Sequence, residues 1–471
     1  MEENKEFTSR PLIEQQLENA GKEIEKLMDV YPCLREICMG LKTQAYPAAL
    51  FAGAAFLGTL MTRCTYRYYA RPEELRRLNY GVYIIGDPGT GKSFVTRLYK
   101  LLAGPIERVS KEGKNAMNRY KRKYKAWLDN GQKGEGPKKP KPLIRTHPAR
   151  TSNKVFIEDM VNAVDIVDGE EMHLHQLSFD TELDNTINLQ SEAWNNKTFL
   201  EMKAFHNEED GMAFSNIESS FVTFNVYWNY VYTGTPMALR HKINSNNVQN
   251  GLSTRIAAIP MPSCHFEMMP MEKLEDAGKE PEEYETLRMW AERLDKTHGE
   301  LPISRLVDEC YGWTDLTMLD AEEDQSRADE VMCKRVGYYG INVSAPFIMM
   351  RHWDEWQQKG TLSIDETDLM FCQLIMDIQM DCQRYFFGRY WEVYFEHKDD
   401  ILKNIDHTKR HSVKMKQRYA RLPEEFTTEQ AVNLLGLRQS TAEKMIGRWL
   451  REGYLTMPTY AHYRKAYLDL L

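Results

Sequence analysis

Residues 86–93 read GDPGTGKS and lie between an apolar run, Tyr80–Ile85, and a stretch with helical periodicity. They match the pattern G-x-x-x-x-G-K-S/T, in which a loop between a strand and a helix wraps around phosphate groups. We expect Gly86 to permit the tight turn, and Gly89 and Gly91 to let backbone N–H groups converge on the phosphates. A loop of this kind needs a buried strand and a covering helix, so the predicted fold class is α/β with a parallel sheet.

The side chains of this loop complete the predicted site for ATP and Mg²⁺. Lys92 is expected to reach the β and γ phosphates, and Ser93 to ligate the metal ion. The helix that follows the loop favours the bound anion at its N-terminus. The predicted nucleotide-binding residues of the loop are Gly86, Asp87, Pro88, Gly89, Thr90, Gly91, Lys92, Ser93 and Phe94.

An Mg-ATP site also needs an acidic residue at the end of a neighbouring strand. The segment VFIED offers Glu158 and Asp159, but it reads as part of a helix that begins after Thr151 or Ser152. The segment LHQLSFDTELD instead offers a buried run that ends in Asp180 and is followed by Glu182. We therefore assign Asp180 to the metal ion and Glu182 to the attacking water, with a pair of helix-capping acids as the alternative.

Two later segments fit an oligomeric ATPase. The apolar run 229–236 ends in Thr233 and Thr235, hydroxyl groups at the expected position of a γ-phosphate sensor. The segment GLSTRI places Arg255 at a glycine-led turn before another apolar run. There a guanidinium group would stabilise charge on the γ-phosphate held by a neighbouring subunit. An ordinary surface salt bridge explains Arg255 equally well.

Charge is distributed unevenly along the chain. The total of 61 Lys and Arg against 69 Asp and Glu gives a net charge of -8, so any surface for nucleic acid is local. Residues 107–150 hold 14 basic and 4 acidic residues with few apolar ones, which predicts an insertion that projects from the core. Within it, Tyr120 and Tyr124 are placed to stack on bases between cations, although a solvated charged helix accounts for them too.

An acidic block follows later in the chain. Residues 267–331 hold 20 acidic and 7 basic residues, which excludes them from facing a phosphate backbone and favours a solvated helical face. The eight cysteines are scattered without a CxxC pair, so neither a disulfide framework nor a zinc site is indicated. With no signal-peptide pattern at the charged N-terminus, we expect a cytoplasmic protein. The uncharged stretch 46–62 is expected to be a buried helix rather than a membrane span.

The C-terminal part has the pattern of two helices joined by a tight turn. Thr427 or Thr428 caps the first helix, Gly436 and Leu437 form the turn, and the second helix covers about 440–451. The hairpin sequence YLTMPTYAHYRKAYL follows, and the whole resembles a winged-helix domain, whose second helix enters the DNA major groove.

The predicted DNA contacts are Arg438, Gln439, Lys444 and Arg448. Arg438 and Gln439 are placed to read bases, whereas Lys444 and Arg448 are expected to contact phosphates. The alternative is a winged helix that serves contacts between protein subunits.

The order of these features resembles the P-loop ATPase family of bacterial phages, plasmids and integrative mobile elements that is described as primase/helicase-like. The resemblance runs from Pro47 to Asp400 and rests on PAALFAGAAFLGTL, GDPGTGKS, a basic insertion that ends in TSNKVFIEDM, FDTELD, FLEMKAFHNEEDG and GLSTRI. It implies Asp180, Glu182 and Arg255 as the acidic and arginine components of a ring-forming motor that acts on DNA. Larger relatives carry a primase-type domain before the ATPase, so we expect a separate primase or replication initiator as a partner.

The expected organisation is an N-terminal helical region (1–75), an ATPase core (76–265) with the basic insertion (107–150), a helical region (266–400) and a winged-helix module (401–471). The expected function is that of an ATP-dependent DNA helicase or translocase in the replication of a phage or mobile element. An ATP-controlled DNA-binding regulator or helicase loader is the alternative. A nucleotide-sensing effector of anti-phage defence has no effector motif in the sequence to support it.

Overall fold

The computed structural model describes residues 9–148, 151–183, 196–212, 222–245, 247–263, 280–402, 413–437, 439–451 and 453–466. The chain divides into two compact units. The first consists of Met1–Thr314 with Met332–Trp391, and the second of Asp315–Val331 with Glu392–Leu471. The domain boundaries placed after residues 75, 265 and 400 stay predictions.

Both units contain helices and strands, which are numbered in chain order. The helices are α1 (Arg10–Leu27), α2 (Leu34–Cys38), α3 (Tyr46–Leu60), α4 (Phe94–Leu102), α5 (Gly104–Asp129), α6 (Asn153–Asn162), α7 (Thr198–Ala204), α8 (Pro236–Lys242), α9 (Glu283–Leu294), α10 (Ser304–Glu323), α11 (Arg327–Cys333), α12 (Val336–Arg351), α13 (Trp353–Lys359), α14 (Glu366–Gln383), α15 (Arg389–Leu402), α16 (Val413–Arg421), α17 (Thr428–Leu435) and α18 (Gln439–Arg451). The strands are β1 (Arg63–Tyr68), β2 (Arg71–Arg76), β3 (Gly81–Ile85), β4 (Thr146–His147), β5 (Val164–Val167), β6 (Glu170–His173), β7 (Gln176–Asp180), β8 (Glu209–Met212), β9 (Val222–Asn225), β10 (Trp228–Gly234), β11 (Ile256–Pro260), β12 (His298–Glu300), β13 (Glu425–Thr427), β14 (Leu455–Thr459) and β15 (His462–Lys465).

A parallel sheet of five strands forms the centre of the first unit, which confirms the predicted α/β class. The strand order is β11-β3-β10-β7-β4, and all four pairings are parallel. Every residue of β3, β10 and β11 is buried, as expected for parallel strands that are covered on both faces. Groups outside the core can therefore reach these three strands only at their amino or carboxyl ends, which we call the amino edge and the carboxyl edge of the sheet.

Helix α3 packs against one face of this sheet. It contains no charged residue, and 14 of its 15 residues are buried, so it has no polar side. It lies against β3, β10 and β11, and α12 covers it from the other direction. Small residues permit this close approach, as at Gly58, where a Cβ atom would lie 3.4 Å from the Leu78 Cβ. Among the described residues, no helix combines the length and the apolar character that crossing a membrane requires.

A buried carboxylate joins the helices on this side of the sheet. Asp368, at the start of α14, accepts hydrogen bonds from the Tyr31 hydroxyl (2.8 Å) and from Arg351 Nη1 (2.8 Å). His352 Nε2 lies 2.9 Å from the other carboxylate oxygen. Because each oxygen has partners, the carboxylate is compensated although it is fully buried. The network fixes α12 and α14 against the loop between α1 and α2.

The basic insertion forms a helix that leaves the core. In α5, only Pro105, Ile106, Ser110 and Gly113 are buried, all of them in the first half of the helix. The second half carries the exposed cations of 119–125 into solvent. At about 1.5 Å per residue, the helix is about 39 Å long, so its second half extends well beyond the sheet.

The second unit contains the predicted pair of helices and the hairpin. Thr427 caps α17 in a reciprocal arrangement with Gln430, and Gly436 ends the helix with a φ of 67°. Strands β13, β15 and β14 form an antiparallel sheet in that order. The core of the unit is made of Tyr419, Leu422, Phe426, Ala431, Leu437, Ala442, Met445, Ile446, Trp449 and Leu455.

Part of the region expected to be helical, 1–75, forms strands instead. Strand β1 pairs antiparallel with β2 and parallel with β12, with Arg63 opposite His298. Cys64, Tyr66 and Tyr68 are buried along β1, whereas Arg67 is exposed. The β12 partner lies more than 200 residues away in the chain, so local periodicity could not predict that pairing.

Candidate nucleotide-binding site

The loop after β3 has an open, glycine-dependent shape. Gly89 and Gly91 have φ angles of 84° and 77°, in the left-handed region that favours glycine, and a Cβ atom at either position would meet nothing within 4 Å. Gly86 is needed for a different reason, because its Cβ atom would lie 2.6 Å from Thr90 Oγ1 and 2.7 Å from the Met261 Cβ. The loop is therefore tightly closed at its base and open above its two central glycines.

Lys92 and Ser93 lie where the loop enters α4. The Lys92 ammonium group donates to the carbonyl oxygens of Gly86 (2.6 Å) and Asp87 (2.8 Å), so it curls over the loop. Ser93 is the N-cap of α4, and its carbonyl accepts from the Thr96 N–H (3.0 Å). The N–H groups of Phe94 and Val95 likewise donate to carbonyls three residues earlier. The aligned peptide dipoles at a helix N-terminus favour a nearby negative charge, so the loop and the start of α4 offer a suitable environment for an anion.

The strand order brings the other predicted residues to the same edge of the sheet. Strand β10 lies between β3 and β7, with Gly234 opposite Ile85 and Tyr232 opposite Asp180. The Gly86 N–H donates to the Gly234 carbonyl (3.0 Å), which ties the loop to the end of β10. Because the strands are parallel, their carboxyl ends share one edge. The loop, Thr235 and Asp180 all follow or end strands there.

The acidic turn after β7 is held by side-chain hydrogen bonds. Asp180 Oδ1 accepts from the backbone N–H of Glu182 (3.1 Å), and the Glu182 side chain is exposed. The Thr233 hydroxyl donates to the carbonyl of Thr181 (2.7 Å), so Thr233 braces this turn. Thr235 Oγ1 accepts from the Ala238 N–H (3.2 Å) as the N-cap of α8. The residues after this turn, 184–195, lie outside the described residues.

The other acidic candidates are on a helix, as the sequence indicated. Glu158 and Asp159 belong to α6, where Glu158 contacts Lys139. Asp159 Oδ2 lies 3.6 Å from His147 Nε2, and burial raises the pKa of this carboxyl group to about 7. Burial also lowers the pKa of His147 to about 4. Because Asp159 lies within α6, it does not stand at the end of a sheet strand as Asp180 does.

Arg255 lies at the opposite edge of the sheet from the loop. It directly precedes β11, whose first residue is opposite Gly81 and whose last is opposite Ile85. Five residues at about 3.3 Å each separate the two edges by about 16 Å, so Arg255 cannot contact a nucleotide in its own loop. Its Nη1 atom donates to the Gly251 carbonyl (3.2 Å), and it forms no ion pair within the part of the chain that the structure describes.

The predicted DNA contacts of the second unit face acidic residues at the end of α10. Arg448 Nη1 donates to the carbonyl oxygens of Glu322 (3.1 Å) and Glu323 (2.7 Å). Lys444 Nζ lies 3.8 Å from Asp324 Oδ2, with both side chains about half exposed. The structure thus places part of the predicted acidic face next to α18. The sequence showed that the acidic block 267–331 and the basic residues of α18 have opposite charge, but it did not show that they lie next to each other.

The remaining two predicted contacts lie at the start of α18. Gln439 Nε2 donates to Glu443 Oε1 (2.9 Å) one turn along the helix, and Arg438 lies outside the described residues. In the described ranges, no group of three or more His, Cys, Asp or Glu side chains is arranged to hold a metal ion. A nucleotide-bound Mg²⁺ requires fewer protein ligands, because phosphate and water oxygens complete its shell, and Ser93 with Asp180 would suffice.

No protein-family model matches this chain, and no curated protein matches it significantly. The geometry of the two sheet edges and of the second unit therefore carries the functional conclusion.

Proposed function

We propose that this protein is an Mg²⁺-dependent ATPase of the P-loop class that moves along or remodels DNA. The observation that carries the proposal is the glycine loop 86–93, open at the carboxyl edge of a buried parallel sheet, with Asp180 two strands away at the same edge. A strand, an anion-binding loop and a metal-binding acid in this relation are the minimal parts of a nucleoside-triphosphate site.

Each side chain of this edge has a role in the proposed reaction. The Lys92 ammonium group leaves the two loop carbonyls and contacts the β and γ phosphates, while Ser93 and Asp180 hold Mg²⁺. Glu182, exposed beside Asp180, orients the water that attacks the γ-phosphate. Thr235 reports the γ-phosphate to α8, whose N-terminus it caps. Mg²⁺, when bound, neutralises charge on the transferred phosphoryl group.

The position of Arg255 supports an assembly of several subunits. Because Arg255 is about 16 Å from the loop of its own chain, it can act on a nucleotide only across a subunit contact. Such a contact joins the amino edge of one sheet to the carboxyl edge of the next, which is a head-to-tail arrangement. Repeated head-to-tail contacts close into a ring when the rotation allows. A ring is the assembly that we propose.

The proposed DNA contacts are the second unit and the second half of α5, which carries the exposed cations of 119–125. The unit contains a pair of helices and a hairpin, which we interpret as a winged helix, and Lys444 and Arg448 lie along α18, its proposed recognition helix. A duplex reaches this face only after Arg448 leaves the carbonyls of Glu322 and Glu323. A separate primase or replication initiator would supply priming.

The same contact favours one alternative, an ATP-controlled DNA-binding regulator or helicase loader. If the acidic end of α10 covers α18 in one nucleotide state and leaves it in another, the nucleotide would control DNA binding without continuous turnover. The two functions differ in their products. A motor separates strands or moves along them with repeated ATP hydrolysis, whereas a regulator binds ATP and shows negligible turnover that DNA does not change.

The deciding experiment measures ATP turnover with and without single-stranded DNA, together with the mass of the ATP-bound assembly. The wild type is compared with Lys92→Ala and with Lys100→Ala, an exposed lysine of α4 that serves as the matched control. We expect DNA-stimulated turnover on a ring-sized particle, lost in Lys92→Ala and retained in Lys100→Ala. Turnover that survives in Lys92→Ala would contradict the proposed site. ATP binding with DNA-indifferent, negligible turnover would favour the regulator.

A further inference from the structure

Three arginines from separate segments meet beside His206 at the amino edge of the sheet. Arg76 ends β2, Arg255 precedes β11, and Arg335 precedes α12. Arg76 Nη1 lies 3.2 Å from His206 Nδ1 and also donates to the His206 carbonyl (3.4 Å). The Arg76 guanidinium lies 5.0 Å from the ring centre of Tyr338. The ring centres of Tyr338 and His206 are 5.3 Å apart. We call Arg76, Arg255, Arg335 and His206 the arginine cluster.

The cluster carries an excess of positive charge. Burial, followed by the charges of Arg76, Arg335 and Arg255, lowers the pKa of His206 to about 3, so its imidazole is neutral. Burial and then the charge of Arg255 lower the pKa of Arg335, which places these two cations within repelling distance. Two carboxylates offset part of this charge: Arg76 Nη2 lies 3.4 Å from Glu74 Oε2, and Glu208 interacts electrostatically with Arg255 and Arg335.

The arginines are held in place by some of their N–H groups and leave others without an acceptor. Arg335 Nη1 donates to Thr254 Oγ1 (3.0 Å), and Arg255 Nη1 donates to the Gly251 carbonyl. The Nε atoms of Arg76, Arg255 and Arg335 are all buried and have no acceptor among the described residues. A buried, charged donor without an acceptor is costly, and three in one place require an explanation. An anion that accepts from them supplies one.

We propose that the arginine cluster binds a phosphate group, so that Arg255 acts together with Arg76 and Arg335 rather than alone. A phosphate offers several acceptor oxygens and matches the planar fork of guanidinium groups. Since Arg76 donates to His206 Nδ1, the neutral imidazole carries its proton on Nε2 and has one more donor to offer. The phosphate has two possible sources, the nucleotide of a neighbouring subunit or a free anion. A nucleotide of a neighbouring subunit as the source rests on the proposed function. Binding of a phosphate group by the cluster does not.

The binding test uses the full chain and pyrophosphate as the probe, measured by titration calorimetry. All proteins carry Lys92→Ala, which weakens the loop site and leaves the cluster intact. We expect Arg335→Gln to weaken pyrophosphate binding by roughly tenfold or more. Arg288→Gln, which alters a partly exposed arginine of α9 that pairs with Glu280 and Glu285, is the matched control and should bind as the parent does. Equal affinities in the two variants would overturn the proposal.

Two further readouts separate loss of the site from loss of the fold. Without the anion, Arg335→Gln should unfold at a higher temperature than the parent, because it removes repulsion within the cluster. Arg335→Lys keeps the charge but lacks the planar fork, so it should show intermediate affinity. If Arg335→Lys binds pyrophosphate as tightly as the parent while Arg335→Gln is unfolded, the guanidinium geometry has no role and the proposal fails.

Mixing two inactive variants identifies the source of the phosphate. Lys92→Ala keeps the cluster, and Arg335→Gln keeps the loop. In random mixtures about a quarter of the head-to-tail interfaces pair an intact loop with an intact cluster, so about a quarter of wild-type turnover should return. No recovery, with pyrophosphate binding intact, would overturn the neighbouring nucleotide as the source and assign a free anion. If the wild type itself has no ATPase activity, the proposed function fails, while the pyrophosphate comparison still decides the cluster.

Discussion

Replacement of Asp159 by Asn separates a buried carboxyl group from a metal ligand. Burial raises the pKa of Asp159 from an ordinary value of 3.8 to about 7, with Glu158 adding to the shift and Lys114, Lys139 and Lys121 opposing it. In the folded state the group therefore keeps its proton over a range where the unfolded chain has lost it. The contribution of Asp159 to the free energy of unfolding is therefore most favourable below about pH 4 and becomes less favourable until the pH passes about 7.

The size of the effect on the free energy of unfolding follows from the pH range between these two pKa values. Between about pH 5 and pH 6 the folded protein binds about one proton more at Asp159 than the unfolded chain, which costs about 1.4 kcal/mol per pH unit, and the excess falls to about half a proton at pH 7. Asn does not titrate, so the stability that it gains over Asp should be larger at pH 8 than at pH 5 by about 2–3 kcal/mol. His147 lies 3.6 Å from this carboxyl group. Because burial lowers the pKa of His147 to about 4, its imidazole is largely neutral at both pH 5 and pH 8 and adds little to the difference.

Urea unfolding of the wild type and Asp159→Asn at pH 5 and pH 8 measures this difference. Asp308→Asn makes the same charge change at an exposed position of α10 and should show no such pH dependence. A gain that is equal at both pH values would refute the argument from burial. In the same proteins, Asp159→Asn should retain Mg²⁺-dependent turnover and Asp180→Asn should lose it. The reverse result would return the metal to α6.

Three other predictions concern the site and the second unit. Glu182→Gln should leave ATP binding intact and lower turnover about a hundredfold or more, and unchanged hydrolysis would remove Glu182 from its role. Reversal of both Lys444 and Arg448 to Glu should weaken duplex binding, measured by fluorescence anisotropy, and reduce the slope of log affinity against log salt by about 2; if neither changes, the module contacts protein. Asp324→Asn removes a half-exposed partner of Lys444 worth about 0–1 kcal/mol, so DNA affinity at low salt should rise by up to about fivefold. A weaker complex would show that Asp324 does not compete with DNA.

The sequence predicted the parts of the site that depend on local pattern. The loop 86–93 and the runs that became β7, β10 and β11 are each recognisable from a few consecutive residues, because burial on both faces demands a continuous apolar run. The caps of α17 follow from Thr427 and Gly436 in the same way. These features need no knowledge of what lies next to them in space.

The features of the site that the sequence did not predict depend on pairing between distant segments. The position of β10 between β3 and β7 decides that Thr235 and Asp180 share an edge with the loop, yet no strand sequence encodes its neighbours. The arginine cluster likewise draws on three segments that are far apart in the chain. Arg255 was identified from its own turn, whereas Arg76 and Arg335 carry no local mark of their role.

The burial of α3 bears on how the chain is made. A helix that is apolar on all sides is unstable when it is exposed to water. We therefore expect α3 to be stable only once both the sheet and α12 cover it. Its second cover ends at Arg351, long after α3 itself has left the ribosome. Although α1, α2 and α4 also pack on α3, the surface that contacts α12 stays exposed until then, and exposed apolar surface of this kind is prone to aggregation. In the finished protein, its amide hydrogens should exchange with solvent only when the whole first unit opens.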